Sequence, residues 1–195
     1  MRMHNTIKNV LQLQYQNISL LKKLKYLATH DPLTNLDNSR LFYDNLSTAM
    51  KRAKSKKYFI ALLYIDLDKF KYVNDHYGHS MGDKVLKYAT TVIREQLTHK
   101  DFLARLGGDE FAVILENIND EDSIIEMAKN ICTNIEKPFV IDDVTIHISA
   151  SIGISIYPVH GKDIDQLLKA ADQAMYHVKK NGNNNFSFSR KKIMS

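Results

Sequence analysis

Ala104-Arg105-Leu106-Gly107-Gly108-Asp109-Glu110-Phe111 lies between two apolar runs, one entering from Phe102 and one leaving toward Leu115. The pattern reads as two short strands joined by a tight turn. Glycine supplies the backbone freedom, and the flanking residues favour β pairing. The turn carries two adjacent carboxylates, which are costly beside a buried hairpin unless water or a cation compensates them. An Asp-Glu turn of this kind can simply be solvated. A second acidic cluster upstream points to a site instead.

That cluster ends the most apolar run of the chain. Tyr58 to Leu67 reads as a central strand buried on both faces. Asp66 and Asp68 are two residues apart, so both leave the strand on one face at its exit, where ligand sites collect. Lys69 to Asp75 follows as a short helical turn. Val85, Leu86, Ala89, Val92, Ile93 and Leu97 then mark an amphipathic helix, with Asp83 in or just before its first turn.

On the N-terminal side, residues 4–28 carry Ile7, Val10, Leu11, Ile18, Leu21, Leu24 and Leu27 at roughly heptad spacing, with Gln14 and Asn17 interrupting the seam. This predicts a stalk helix that pairs with a second copy; folding back onto its own domain is the alternative. His30-Asp31-Pro32 ends it, because Pro32 biases Asp31 away from helix. Asn38 or Ser39 caps the next helix, whose inner face is Leu41, Phe42, Leu46 and Met50. The cations from Lys51 to Lys57 suit the negative end of its dipole.

On the C-terminal side, Asn119 or Asp120 caps a helix through Ile135. A hairpin turns at Asp142-Asp143, and its second arm runs from Val144 to Tyr157, with Gly153 marking a bulge or a close backbone approach. A last amphipathic helix spans Asp163 to Lys180 and ends at Asn181-Gly182-Asn183. Asn185 to Ser189 reads as an edge strand. The expected class is α+β, a mixed sheet flanked by helices. The expected division is a stalk over 1–29, a domain over 30–190 and a loose tail over 191–195.

The net charge of +5 is uneven: residues 1–57 hold 11 basic and 3 acidic residues, and residues 58–195 hold 16 and 19. The mildly acidic remainder argues against a nucleic-acid-binding face. The basic N-terminal segment suits either solvent or an anionic membrane surface. Cys132 is the only cysteine, so no intramolecular disulfide forms, in keeping with a reducing compartment. No run is apolar for long enough to span a bilayer. The expected location is cytoplasmic, at the inner face of the membrane if the chain belongs to a longer receptor.

Asp66 and Asp109 converge if their strands are neighbours. Two carboxylates with a backbone carbonyl make a hard-oxygen site suited to Mg²⁺ or Mn²⁺. Ions so held also bind phosphates and assist displacement at phosphorus. Asp83 can accept from the N–H edge of guanine while Asn74 satisfies its other polar atoms. Lys179 can meet a triphosphate, and the N–H groups of Lys69 and Phe70 can bind phosphate. His79 suits a structural hydrogen bond as well as a functional one.

Four blocks in order then resemble a known family: Asp31-Pro32-Leu33-Thr34 with Arg40; Asp66-Leu67-Asp68-Lys69-Phe70-Lys71 with Asn74, Asp75, Gly78, His79, Gly82 and Asp83; Arg105 to Phe111; and Ala171-Asp172 with Met175, Tyr176, Lys179 and Gly182. The chain resembles the GGDEF domains of diguanylate cyclases over residues 30–187. The resemblance implies a nucleotidyl cyclase palm-like fold. It implies the condensation of two GTP into cyclic di-GMP and two pyrophosphates, with about two Mg²⁺ or Mn²⁺ ions per active site. It implies Asp66, the Leu67 carbonyl, Asp109 and Glu110 as metal ligands, and Asp109 and Glu110 as catalytic. Asn74 and Asp83 are implied as guanine readers and Lys179 as a triphosphate contact; Lys69, Phe70, Lys71, His79, Gly107 and Gly108 are counted with the substrate contacts. Because each domain holds one GTP, it implies a homodimer joined through the stalk and the catalytic face, with a sensor domain upstream. A non-catalytic module binding GTP or cyclic di-GMP is the alternative.

Three departures stand out. Thr98-His99-Lys100-Asp101 retains the Asp but not the Arg of the Arg-x-x-Asp found in product-inhibited members, so that inhibitory site is expected to be absent. Asn183 stands where many members have Arg near the triphosphate, which either weakens GTP binding or shifts the load to Lys179 and Lys180. Asn35 and Ser39 replace a Gly and an Arg in the first block, with little effect expected.

Overall fold

A computed structural model describes residues 2–118 and 120–190, with side chains from residue 11 onward. The order is α1 (Arg2–Thr29), α2 (Ser39–Lys56), β1 (Phe59–Asp68), α3 (Phe70–Tyr77), α4 (His79–Glu95), β2 (Phe102–Gly107), β3 (Glu110–Ile118), α5 (Asp122–Glu136), β4 (Phe139–Ile141), β5 (Val144–Ile146), β6 (Ser149–Tyr157), α6 (Ile164–Lys180) and β7 (Asn185–Phe188). The main sheet runs β2-β3-β1-β6-β7, and β4 pairs only with β5. β1 is antiparallel to both β3 and β6, while β7 adds in parallel. This mixed sheet has helices on both faces, as the α+β reading expects.

Alternation along β1 sends its side chains to opposite layers. Ala61, Leu63, Ile65 and Leu67 join α3, α4 and α5 in one core. Ile60 and Leu62 join α2 and α6 in the other, around Phe42 and Leu46. The even-numbered side of β1 is therefore the α2/α6 side, and Tyr64, Asp66 and Asp68 leave on it. Gly153 of β6 lies on the same side. A Cβ there would stand 1.9 Å from the Ala171 carbonyl oxygen and 2.5 Å from the Met175 nitrogen, so α6 rests directly on the strand. The β1–β6 register is unbroken, so Gly153 marks a close approach and not a bulge.

From residue 11 to Ala28 the side chains of α1 are exposed, including Leu13, Leu20, Leu24 and Leu27. The helix does not fold back onto the domain. The side chains of Ile7 and Val10, and the expected tail over 191–195, lie outside the described residues. The last turn of α1 is tied to the domain through Asn38, whose N–H donates to the Thr29 carbonyl at 2.9 Å and whose Nδ2 donates to that of Ala28 at 3.1 Å. The Asn38 Oδ1 also accepts from the Leu41 N–H at 3.2 Å and so caps α2. Asp120 accepts from the Ser123 N–H at 2.8 Å at the start of α5. The expected long second hairpin arm is two strands, because the chain leaves β5 at His147 and joins the main sheet at Ser149. α4 begins at His79, which places Asp83 in its second turn.

Candidate active site

The β2–β3 turn is held in place from below. Gly107 and Gly108 have φ of +155° and +51°, values that favour glycine. The Gly108 carbonyl accepts from Arg105 Nε at 3.0 Å and Nη2 at 2.7 Å. The same guanidinium donates through Nη1 to both Asp31 oxygens at 2.9 Å. Burial pushes the Asp31 carboxyl up, but hydrogen bonds from Thr34 and the charge of Arg105 outweigh it and hold the group below its ordinary range. Arg105 thus clamps the turn to the segment that follows α1. The motif contains Arg105, but its role is not legible in the sequence, because its partner Asp31 is 74 residues away.

β1 and β3 are neighbours, as convergence of the acids requires. Their register sets Asp66 opposite Glu110, and the Leu67 N–H donates to the Asp109 carbonyl at 3.3 Å. Glu110 lines an open groove of about 440 Å³ between α2 and α6, together with Tyr43, Tyr64, Lys169 and Asp172. Burial, with Glu110 nearby, pushes the Tyr64 hydroxyl well above its ordinary pKa.

Asp66 is 7% exposed. Burial pushes its carboxyl up to about 6, and the charges of Asp109 and Glu110 act in the same direction, although Lys179 opposes them. The Lys179 ammonium stands 2.6 Å from Asp66 Oδ1. The site is therefore short of positive charge even with one cation in place. Among the described residues, no three His, Cys, Asp or Glu side chains cage an ion alone. The donors nevertheless fit Mg²⁺ or Mn²⁺, which take one or two carboxylates and complete their shell with water and substrate phosphates.

Asp68 behaves differently. It is 4% exposed and accepts from the Ser149 hydroxyl (2.7 Å), the Ser151 hydroxyl (2.7 Å) and the Asn184 N–H (3.1 Å). It ties β1 to the start of β6 and to the turn before β7.

The remaining predicted residues divide between two places. Asn74 of α3 lies over Gly82 of α4, where a Cβ would meet Asn74 Oδ1 at 2.0 Å. Glycine at 82 thus lets Asn74 reach the helix that carries exposed Asp83. Lys69, with φ of +64°, starts α3 without a side-chain cap. Phe70 packs its ring in the core, so only its backbone is available to a ligand. Lys71 and His79 are exposed. Lys180 lies over the Tyr176 ring at 4.6 Å. Asp101 accepts from the Thr98 N–H at 2.8 Å and hydroxyl at 2.7 Å, a purely local turn.

A family model described as "Diguanylate cyclase, GGDEF domain" matches residues 28–185. The chain is 41% identical over 167 residues to the bifunctional diguanylate cyclase/cyclic di-GMP phosphodiesterase MucR of Pseudomonas aeruginosa, covering 86% of this chain and 24% of that protein. It is 41% identical over 170 residues to the diguanylate cyclase TpbB of the same organism, covering 87% of this chain and 38% of that one. The chain thus spans well under half the length of these relatives. Among solved structures, the coiled coil and GGDEF domain of DgcB from Caulobacter crescentus, in complex with c-di-GMP, superposes with a TM-score of 0.84 at 26% identity, covering 96% of this chain and all of that one.

Proposed function

Since the chain belongs to the GGDEF family of diguanylate cyclases, we propose that it condenses two GTP into cyclic di-GMP with release of two pyrophosphates. One observation carries this reading. The register of β1 and β3 gathers Asp66, the Leu67 carbonyl, Asp109 and Glu110 at one end of the sheet. In this reading Asp66, Asp109, Glu110 and the Leu67 carbonyl hold Mg²⁺ or Mn²⁺, which when bound neutralises phosphate charge.

The protein's own groups do the rest. Asp109 accepts the proton of the attacking 3′-hydroxyl as the oxygen closes on the partner's α-phosphate. Glu110 stands beside it and keeps the local charge negative. Asn74 and Asp83 read guanine from the paired helices α3 and α4. Lys179 turns from Asp66 to the triphosphate, the only exchange of partners the scheme needs. The N–H groups of Lys69 and Phe70 at the start of α3, with Lys71 on its exposed face, add further phosphate contacts. The α1 seam pairs two copies and raises the effective concentration of one site at the other.

Asn183, in place of the expected arginine, favours a second reading as a module that binds GTP or cyclic di-GMP without turnover. Incubation with GTP and Mg²⁺, then Mn²⁺, with products identified by mass, separates the two. The expected result is cyclic di-GMP from wild type and none from Asp109→Ala. GTP binding without product in an enforced dimer supports the second reading. Failure to bind GTP overturns the first reading, and failure to bind either GTP or cyclic di-GMP overturns both.

A further inference from the structure

The end of the sheet opposite the acids presents two clefts that share one exposed ring. β1 enters there at Phe59, paired with the end of β3 at Ile118. Along the strand this is about 23 Å from Asp66. Phe59 is 47% exposed. The β1–β3 register shifts between Phe59 and Ile60, and an irregularity of that kind re-aims a side chain.

On one side of the ring, a cleft of about 260 Å³ is lined by Ile118, Ile156, Val159 and the exposed acids Asp120 and Glu121. On the other side, a cleft of about 280 Å³ is lined by Tyr157, Pro158 and the exposed Lys54 and Lys57. The basic side continues into a third cleft, where Lys51 and Lys162 join Lys54. Among the described residues, none of these four ammonium groups has a hydrogen bond or ion pair. The acids nearest to them are committed elsewhere, Glu116 to Arg52 and Tyr58, and Asp163 to Gln166. Asp120 accepts from the Ser123 N–H, and the Glu121 carboxylate makes no cap for α5.

This end therefore carries opposite charges on the two sides of an apolar ridge. Such a surface is self-complementary about a two-fold axis through the ridge, because each basic half meets the other copy's acidic half. An anionic lipid surface or an acidic peptide would use the lysines but be repelled by Asp120 and Glu121. We propose that this end docks a second copy of the chain, two-fold about Phe59, with Lys54 and Lys57 of each copy facing Asp120 and Glu121 of the other. The α1 helix is anchored at the opposite end, by Asn38 and beside the Arg105–Asp31 pair. The contact therefore does not compete with pairing through α1, and it leaves Asp66 and Glu110 open. Clefts at one sheet end make a small interface of the weak class, which doubles whatever unit α1 forms.

Sedimentation velocity of the whole chain at low ionic strength, up to millimolar chain, tests it. Wild type forms a species of twice the basal mass, and added salt dissociates it by screening charges that lie in water. Lys54→Glu/Lys57→Glu makes both halves acidic and weakens the doubling about ten-fold or more. Asp120→Asn/Glu121→Lys, in which the Asn keeps the α5 cap, weakens it likewise by removing the acidic half. Phe59→Ala weakens it several-fold. Mixed in equal amounts, the two charge variants restore the doubled species, which misfolded variants could not do. Absence of the doubled species in wild type, its survival at wild-type strength in Phe59→Ala, its loss in only one charge variant, or no recovery on mixing overturns the proposal.

Discussion

Asp66 and Asp68 leave β1 on the same face, two residues apart, into opposite situations. Asp68 is enclosed by two serine hydroxyls and a backbone N–H. Asp66 has one lysine, and beyond it two more carboxylates. The first is a satisfied buried acid and holds three elements together. The second is an acid crowded by like charge, which a cation relieves. Burial alone therefore does not single out the residue proposed as functional; unmet charge does.

Removing each acid should give opposite results. Asp68→Ala leaves two hydroxyls and an N–H without their acceptor, and should cost about 2–4 kcal/mol in urea denaturation. Stability equal to wild type would break the contrast. Gly153→Ala should come next, at about 1–3 kcal/mol, because the added methyl must displace α6. It should also weaken GTP binding by shifting Lys179; a stable variant with normal GTP affinity would show that α6 does not position the site.

The third prediction uses pH. The folded-state value of Asp66 is about 6 against an ordinary 3.8, so the folded state holds the proton longer than the unfolded state. Ionisation of Asp66 then subtracts stability as pH rises from about 3.8 to about 6, and nothing is subtracted below that window. In metal-free buffer, Asp66→Asn should gain on wild type across that interval and keep the gain above it. A constant difference from pH 3.5 to 7 would show that Asp66 is not crowded.

The smallest effect lies at the far end of the sheet. Arg52, with Tyr58 adding to it, holds Glu116 below its ordinary pKa of 4.5 against the effect of burial. That contribution is present above pH 4.5 and lost as pH falls through the folded value. The pair is half in water, so Glu116→Gln should cost only about 0.5–1 kcal/mol at pH 7, with no effect on GTP binding.

The two acids also show how far the sequence could be read. β1 was legible because Tyr58 to Leu67 is apolar on both alternations, and the hairpin because Gly-Gly interrupts two apolar runs. The Gly153 approach was legible because a glycine within a strand pattern lacks a packing side chain. The role of Asp68 was not, since its partners lie 81, 83 and 116 residues away. The β5–β6 break was hidden because alternation continues through His147. The pairing of Asp66 with Glu110 depends on the β1–β3 register, between residues 44 apart in the chain. Pattern finds elements; only the fold decides which polar groups meet.

The most direct test of the contrast is the urea midpoint with and without Mn²⁺ and GTP, for wild type and Asp66→Asn. Ligands that bind only the folded state raise the midpoint. Wild type should gain from the pair of ligands by more than from GTP alone. Asp66→Asn should start at or above the wild-type midpoint and gain nothing further from Mn²⁺. A Mn²⁺-dependent gain in Asp66→Asn equal to that of wild type would contradict the assignment of Asp66 as the acid that awaits a cation.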